Sequence, residues 1–359
     1  MKKKIIHFIF NLGRGGAETM MVRVIKELPE YEQVVVTLFP MNHFGAELQC
    51  DRLICLNLSS LFSLPFAIFK FRRLIKKEQP DLVHTHLFWP TVIARFAVPK
   101  KIPLITTIHA FVASSVEYKF KRIRYLDKLS YRFRKSIIIV VAKGALAEYF
   151  SFLHLKPYKA YALYTFVDIN RFNTNKPVIK PVSDTFRVVS VGAIRTQKNY
   201  EWSIKAFEQL KNENIELHIY GVGPLEQSTR ALIEATGAKV VLKGEVRDIE
   251  NIIPQYDLYL MSSSFEGFSL SVLEAMAMEM PLLLSDIPSF REQCEDTAMY
   301  FSLQEEAALP AALLQLSKMP KAALTAMATR AKQRVVENFT LPKHMEGLRK
   351  IYAEALVAE

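Results

Sequence analysis

The sequence has few cysteines and no long hydrophobic segment, and both features restrict the classes of protein to which it can belong. Nowhere do 18 uncharged apolar residues follow one another, so no membrane-spanning helix is predicted. The three cysteines, Cys50, Cys55 and Cys294, lack metal-ligand spacing, and their odd number is typical of a protein of the reducing cytoplasm. The apolar run after the basic start, Ile5 to Phe10, is too short for a signal peptide and predicts a first buried strand.

Low-complexity segments and short-period repeats are also absent, and 50% of the 359 residues are hydrophobic, which excludes a disordered chain. A chain of this length exceeds one typical core and predicts two domains. Acidic residues are scarce in residues 1–180, where 29 Lys and Arg against 12 Asp and Glu give a net charge of +17. Residues 181–359 hold 18 against 24, a net charge of −6, so the two halves are expected to have different partners.

Short β-branched runs alternate with amphipathic helical stretches along the whole chain. This alternation predicts an α/β protein with two doubly wound, Rossmann-like parallel sheets. The proline-rich segment 173–185 is the predicted break between an N-terminal domain at 1–175 and a C-terminal domain at 186–340, and residues 341–359 are predicted to form a helix. The predicted strands lie at 4–10, 33–38, 53–57, 81–85, 103–108, 137–142, 160–164, 187–192, 215–220, 239–243, 257–261, 281–285 and 298–302.

A glycine-rich turn joins the first predicted strand to the first helix. Gly13, Gly15 and Gly16 allow close approach of a ligand to the backbone, and the amino terminus of the helix offers N–H groups to an anion. Glu18 occupies the third glycine position of a dinucleotide-binding fingerprint, and no acidic residue closes a second strand about 20 residues on, so a dehydrogenase is disfavoured. A tight turn without a ligand is the alternative.

Two cations, Arg195 and Lys198, follow the first predicted strand of the second half. Fixed positive groups in such a loop can stabilise a diphosphate without a metal ion, although two basic residues in a loop are also common without a ligand. The next two strands end at glycines, which favours close approach by a nucleotide: Gly221, Gly223 and Gly244.

Three histidines end two neighbouring strands of the first half. His84 and His86 share one face if their strand persists, and His109 closes the next strand. No cysteine or carboxylate spacing supports zinc, so no metal is expected. His109 is the better functional candidate, as a hydrogen-bond donor to substrate, whereas His84 and His86 are as readily core residues.

Two carboxylates, Glu266 and Glu274, are separated by seven intervening residues in the stretch SSSFEGFSLSVLEAMAMEMP. Glu266 is predicted to lie in a loop and to point at a ligand, and N–H groups of residues 268–270 at the start of the next helix can take a phosphate. Glu274, about one turn into that helix, can reach paired hydroxyls such as those of a ribose. The alternative is a capping box, because Ser271 and Glu274 have the spacing of that motif.

At these glutamates the chain resembles the retaining glycosyltransferases of the GT-B fold, glycosyltransferase family 4 (group 1). The resemblance covers nearly the whole chain. It rests on the Glu-seven-residue-Glu stretch and on motifs in register: GRGGAE, DLVHTH, TIHAF, VGAIRTQKN, IYGVGPL, LKGEVRD and SDIPSFRE. It implies two Rossmann-like domains facing across a cleft, an N-terminal acceptor domain, a C-terminal nucleotide-sugar domain, and a final helix that packs back onto the first.

The resemblance also implies roles at matching positions. Glu274 would hold the ribose hydroxyls of a sugar nucleotide, and Glu266 would contact hydroxyls of the donor sugar. Arg195 and Lys198 would hold the diphosphate in a metal-independent transfer with retention, and His109 would lie close to the reacting sugar. The remaining implied donor contacts are backbone groups near Gly15, Gly16, Gly267, Phe268, Ser269 and Leu270.

Three positions depart from the family pattern. Ala193 stands where an arginine is frequent in the family, so the positive charge that binds the diphosphate would come from Arg195 and Lys198 alone. Glu279 replaces a common glycine near the end of the helix, and Thr165-Phe166 replaces a usual Asn-Gly. These departures bear on the shapes of the loops more than on the activity.

Two segments of the basic half, 61–77 and 117–135, interleave aromatic residues with Lys and Arg. This composition suits an anionic membrane surface; nucleic acid would also accept it, and a solvated basic face is the plain alternative. The expected acceptor is lipid-linked or membrane-proximal, as in exopolysaccharide, capsule or O-antigen assembly, with the protein in the cytoplasm at the inner face of the membrane and no nucleic acid as partner. The alternatives are a sugar-nucleotide 2-epimerase and a nucleic-acid-binding protein.

Overall fold

The structure, a computed structural model, describes residues 2–13, 15–58, 64–113, 115, 117–172 and 184–357. The chain divides into two compact units. Residues 1–165 together with 342–359 form the first unit, and residues 166–341 form the second. Most of the predicted break at 173–185 lies outside the described residues.

The first unit contains a seven-stranded sheet in the order β3-β2-β1-β4-β5-β6-β7, and all its strand pairs are parallel. Runs such as IIIV in β6 are buried along their whole length, as expected for parallel strands covered on both faces. The strands are β1 (Lys4–Ile9), β2 (Glu32–Thr37), β3 (Arg52–Cys55), β4 (Leu82–His86), β5 (Leu104–Ile108), β6 (Ile137–Val140) and β7 (Lys159–Ala162). The helices are α1 (Gly16–Lys26), α2 (Leu64–Glu78), α3 (Phe88–Ala97), α4 (Lys121–Phe133) and α5 (Lys143–Phe152).

The second unit contains a six-stranded parallel sheet in the order β10-β9-β8-β11-β12-β13. Its strands are β8 (Phe186–Val191), β9 (Ile215–Tyr220), β10 (Val240–Gly244), β11 (Leu258–Met261), β12 (Leu282–Ser285) and β13 (Met299–Phe301). Its helices are α6 (Tyr200–Gln209), α7 (Glu226–Thr236), α8 (Ile249–Ile252), α9 (Leu270–Ala277), α10 (Pro288–Cys294), α11 (Ala308–Ser317) and α12 (Lys321–Asn338).

Every predicted strand is present, with ends shifted by at most two residues, and the α/β class is confirmed. In each sheet the strand order reverses once, between β1 and β4 in the first unit and between β8 and β11 in the second. Ligands of doubly wound sheets bind beyond the carboxyl ends of the strands at such a reversal. The loops after these four strands are therefore the first places to look for a site.

The last helix, α13 (Leu341–Val357), packs within the first unit. Tyr352 is fully buried, and its hydroxyl lies 2.7 Å from His84 Nδ1 in β4. Arg349 Nε donates to Glu30 Oε1 at 2.8 Å. Within the described residues, no helix combines the length and apolar character needed to cross a bilayer.

Glu279 shows how α9 ends. The N–H of Glu279 bonds to Met276 O and that of Met280 to Ala275 O, which is the Schellman pattern of a helix carboxyl terminus. Glu279 has a φ of +58°, a left-handed conformation that favours glycine. Its carboxylate accepts hydrogen bonds from Thr329 Oγ1 at 2.6 Å and Lys332 Nζ at 3.2 Å, and these contacts offset part of the backbone strain.

Candidate active site

Glu266, in the loop after β11, is held in a cluster of donors in the second unit. Its side chain lies 2.8 Å from Lys198 Nζ, and these side chains are only 9% and 14% exposed. Ser263 Oγ donates to Glu266 Oε1 at 2.8 Å, and Gln197 Nε2 donates to Oε2 at 3.0 Å. Because β8 and β11 are neighbouring strands, the loops that follow them bring these four residues together.

The sequence motifs indicated separate tasks for Lys198 and Glu266, whereas the structure pairs the two side chains. Sequence reasoning also missed Gln197 and Ser263. Gln197 stands beside Lys198 in the loop motif, and Ser263 lies in the serine run before Glu266. Their nearness in sequence to Lys198 and Glu266 was the one feature that could have identified them as site residues. Arg195 is exposed and precedes the short helical turn Thr196–Lys198.

Gly221 and Gly223 pack against the backbone of the loop that carries Arg195. A Cβ at Gly221, whose φ is +140°, would lie 2.2 Å from Gly192 O, and one at Gly223 would lie 2.4 Å from Ile194 O. These two positions therefore require glycine for internal packing, a reason that the sequence argument did not contain. Gly244 has a φ of +74° and ends β10.

Helix α9 begins at Leu270, with Ser269 as its N-cap residue. Ser271 is thus the second residue of the helix, and the capping-box alternative for Glu274 is wrong because Ser271 does not cap the helix. Glu274 lies one turn in and is half-buried. The hydrogen bonds that Arg171 donates to the Glu250 carboxylate and, more weakly, the negative charge of Glu274 raise the pKa of Arg171.

Some backbone polar groups at the start of α9 already have hydrogen-bond partners within the protein. Ser269 N–H donates to Gln293 Oε1 at 3.0 Å, and Gln293 Nε2 donates back to Ser269 O at 2.9 Å. A phosphate that used the Ser269 amide would have to displace Gln293. Phe268 is buried and its ring contacts that of Phe339 at 5.1 Å, while Gly267 is buried beside Glu266.

The first unit carries a cluster of histidines under α1 and α13. His7 Nε2 lies 2.7 Å from Gln33 Oε1, and the two ring nitrogens of His84 contact Tyr352 and Thr107 hydroxyls at 2.7 Å. His86 Nδ1 lies 3.2 Å from His109 Nε2. Burial lowers the pKa of all four: to about 4 for His7, to about 3 for His109, and well below the usual 6.5 for His84 and His86. All four imidazoles are therefore neutral near pH 7.

Among the described residues, the ligand atoms of His7, His84 and His86 converge within 4.8 Å of one another. This set differs from the three histidines that the sequence suggested, because His7 replaces His109. Both ring nitrogens of His84 are already hydrogen-bonded, so a metal ion would have to displace Tyr352 or Thr107.

His109 also lines a cavity of about 90 Å³ in the first unit. Below the cavity the buried guanidinium of Arg95 forms an ion pair with Asp127, which also accepts from the hydroxyls of Tyr118 at 2.6 Å and Tyr149 at 3.1 Å. Burial penalises Arg95, but the charge of Asp127 and the contact with Tyr149 keep its pKa raised. This network is satisfied internally and gives the cavity a fixed polar floor.

The glycine turn after β1 lies at the amino terminus of α1. Gly15 is the N-cap residue and Gly16 the first residue of the helix, and no side chain caps it. A Cβ at Gly15 would lie 2.4 Å from Glu18 Oε2, so the turn is tightly closed over the carboxylate. Gly13 N–H donates to Asn11 Oδ1 at 3.1 Å.

Comparison with known proteins gives two family matches in tandem. The family described as glycosyltransferase family 4 matches residues 14–171, and the family described as glycosyl transferases group 1 matches residues 172–334. Together they span most of the chain.

Two curated relatives match along most of their length. An N-acetylgalactosamine-N,N'-diacetylbacillosaminyl-diphospho-undecaprenol 4-alpha-N-acetylgalactosaminyltransferase of Campylobacter jejuni is 26% identical over 298 residues, which cover 79% of this chain and 81% of the relative. A UDP-Gal:alpha-D-GlcNAc-diphosphoundecaprenol alpha-1,3-galactosyltransferase of Escherichia coli is 21% identical, with 85% and 83% covered. Among solved structures, Anabaena HepE in complex with UDP and glucose superposes with a TM-score of 0.84 at 16% identity, over 98% of this chain and 100% of that one.

Proposed function

The chain belongs to the group 1 glycosyltransferases of family 4, and we propose that it transfers a sugar with retention of configuration and without a metal ion. It has the GT-B fold and nucleotide-sugar-dependent activity. The observation that carries this proposal is the cluster of Lys198, Glu266, Gln197 and Ser263 at the carboxyl ends of β8 and β11. In this cluster a cation and two neutral donors all hydrogen-bond to one carboxylate of the second unit.

A diphosphate leaving group needs positive charge where its negative charge develops. Lys198 supplies a fixed ammonium and Arg195 an exposed guanidinium in the same loop, which can do the work that a divalent cation does elsewhere. When the diphosphate takes Lys198, the carboxylate of Glu266 becomes available to accept hydrogen bonds from the hydroxyls of the donor sugar. Glu274 is proposed to hold the ribose hydroxyls.

As the bond between the donor sugar and the phosphate breaks, its electron pair is proposed to leave with the phosphate, and these cations stabilise the negative charge that develops there. A phosphate oxygen then accepts the proton of the attacking acceptor hydroxyl on the same face, so no protein nucleophile is required. His109, neutral because burial lowers its pKa to about 3, is proposed to donate a hydrogen bond to a substrate hydroxyl.

The acceptor is proposed to be a lipid-linked saccharide of surface polysaccharide biosynthesis. The names of the Campylobacter jejuni and Escherichia coli relatives both specify saccharides on diphospho-undecaprenol. This proposal also assigns the protein to the cytoplasmic face of the membrane, where such an acceptor would be met.

Two helices of the first unit support membrane contact. Tyr125, Leu129 and Phe133 stand four residues apart on α4, so they form one stripe, and they are 68%, 44% and 61% exposed. Phe66 and Phe69 are exposed on α2, and α3 packs against both of these helices. Exposed bases flank the stripe, whereas Asp127 and Arg134 of the same segment are buried and structural. Aromatic insertion with flanking cations is the pattern of an interfacial helix.

The activity is tested with a panel of nucleoside-diphosphate sugars and a polyprenyl-diphosphate disaccharide as acceptor, with and without a chelator. We expect an axial donor to give a product with an axial glycosidic bond, and we expect the chelator to leave the rate of transfer unchanged. Inversion would refute retention, and loss of activity with recovery on adding a divalent cation would refute metal independence. Sugar epimerisation without acceptor would favour the epimerase alternative instead.

Membrane contact is tested separately by flotation with vesicles that contain phosphatidylglycerol. The triple change Tyr125→Ser, Leu129→Ser and Phe133→Ser should abolish flotation at moderate salt. The matched control changes Val241 and Val336, which are 42% and 48% exposed in the second unit, to serine and should float like the parent protein. Equal flotation of both variants would contradict the assignment of α4.

A further inference from the structure

The buried His86 and the half-buried His109 form a pair in which one ring must donate a hydrogen bond and the other must accept it. His86 Nδ1 and His109 Nε2 are 3.2 Å apart. Because burial keeps both imidazoles neutral, each ring carries a single N–H. The position of one proton therefore fixes the tautomer of both rings.

The second nitrogen of His86 decides which ring donates. His86 Nε2 is buried and has no hydrogen-bond partner among the described residues. A buried N–H without an acceptor is rarer in proteins than a buried acceptor without a donor, so His86 carries its proton on Nδ1.

The neighbouring His7 does not change this assignment. Gln33 Nε2 donates to Leu28 O at 3.0 Å, which directs Gln33 Oε1 towards His7. His7 must then donate from Nε2, and its Nδ1 is an acceptor that is also buried without a partner. His7 thus has no N–H to offer to His86.

We propose that His86 is a positioning residue that donates from Nδ1 to His109 Nε2 and so holds His109 in the Nδ1–H tautomer. His109 Nδ1 has no hydrogen-bond partner among the described residues, and His109 lines the cavity of about 90 Å³. The N–H that His109 offers to a substrate hydroxyl is therefore on Nδ1. This inference concerns the ring orientation of His109, and only its effect on turnover rests on the proposed function.

The tautomer is tested by two-bond ¹⁵N–¹H correlation spectra of the histidine rings in the ligand-free protein. Wild-type His109 should show the Nδ1–H pattern. His86→Leu removes the donor and should move His109 to the Nε2–H form or to a mixture, whereas His86→Asn keeps an N–H near the Nδ1 position and should restore the wild-type pattern. His7→Gln, in the same cluster, should leave the His109 pattern unchanged.

The kinetic consequence is a fall in kcat of roughly 10- to 100-fold in His86→Leu, with KM for the nucleotide sugar unchanged and most activity regained in His86→Asn. An Nε2–H pattern for His109 in the wild-type spectrum, or an unchanged pattern in His86→Leu, would overturn the inference. Full activity of His109→Ala would instead refute the proposed role of His109 and leave the tautomer assignment standing.

Discussion

Removing the charge of Glu266 should strengthen the binding of a nucleoside diphosphate, although Glu266 belongs to the proposed site. In the ligand-free protein Lys198 Nζ donates to Glu266 Oε1 at 2.8 Å. To bind a phosphate, Lys198 must give up this carboxylate. Glu266→Gln keeps a polar group that Ser263 and Gln197 can bond but removes the competing charge.

The magnitude follows from the surroundings of the pair. Hydrogen bonds to charged groups contribute about 1.5–3 kcal/mol, and side-chain exposures of 14% and 9% leave little solvent screening. If about half of that free energy is lost when Lys198 changes partner, removing the carboxylate charge corresponds to about 0.8–1.5 kcal/mol, or a Kd about four- to twelvefold lower. Lys198→Met should raise Kd at least tenfold, since the cation itself is gone.

Isothermal titration calorimetry with the nucleoside diphosphate that binds best measures both variants without involving the donor sugar. Turnover of Glu266→Gln should fall, because its proposed contact is with the sugar. If both variants weaken nucleoside diphosphate binding equally, Lys198 does not exchange partners and the reasoning fails. Glu201→Gln, an exposed partner of Lys205, is the control that should leave Kd unchanged.

The remaining predictions concern stability, measured by urea unfolding. Glu279→Gly should be more stable than Glu279→Ala by about 1 kcal/mol. Both variants lose the carboxylate, but only alanine is strained by the positive φ at this position. Equal stability would show that α9 ends without strain. Asp127→Asn leaves the buried charge of Arg95 without its counter-charge and should destabilise the protein by about 3–5 kcal/mol, whereas Glu226→Gln in an exposed pair should change it by under about 0.5 kcal/mol. Burial lowers the pKa of His7 from 6.5 to about 4, so as the pH falls through this window the unfolded chain binds the proton first, and His7 alone should remove about 3 kcal/mol of stability in addition to the other buried histidines. His7→Gln should show a shallower decline, and an identical decline would contradict this origin.

The sequence was sufficient for the strands and for the order of the motifs. Parallel strands buried on both faces require near-continuous apolar runs, so segments such as IIIV were visible without any tertiary information. The start of α9 was also close to its predicted place. The capping-box alternative failed there because spacing alone does not say which serine lies at the first turn of the helix.

The contacts between motifs could not be predicted from the sequence. Lys198 and Glu266 are 68 residues apart, and nothing in either motif states that their side chains meet. Gly221 and Gly223 were interpreted as places for a nucleotide, whereas their observed neighbours are backbone atoms of residues 192 and 194. His7 carried no signal, since one histidine in an apolar strand looks like a core residue.

By itself, the sequence determined the α/β class, the family and the identity of the candidate residues, because these depend on local periodicity and on motifs of a few neighbouring residues. Only the tertiary structure decided which of them touch: the Lys198–Glu266 pair, the Gln293 bond to Ser269 and the His86–His109 pair. The physical reason is that strand order and register bring residues far apart in the chain to one end of a sheet. The burial that follows also sets the charge of each histidine, which composition cannot reveal.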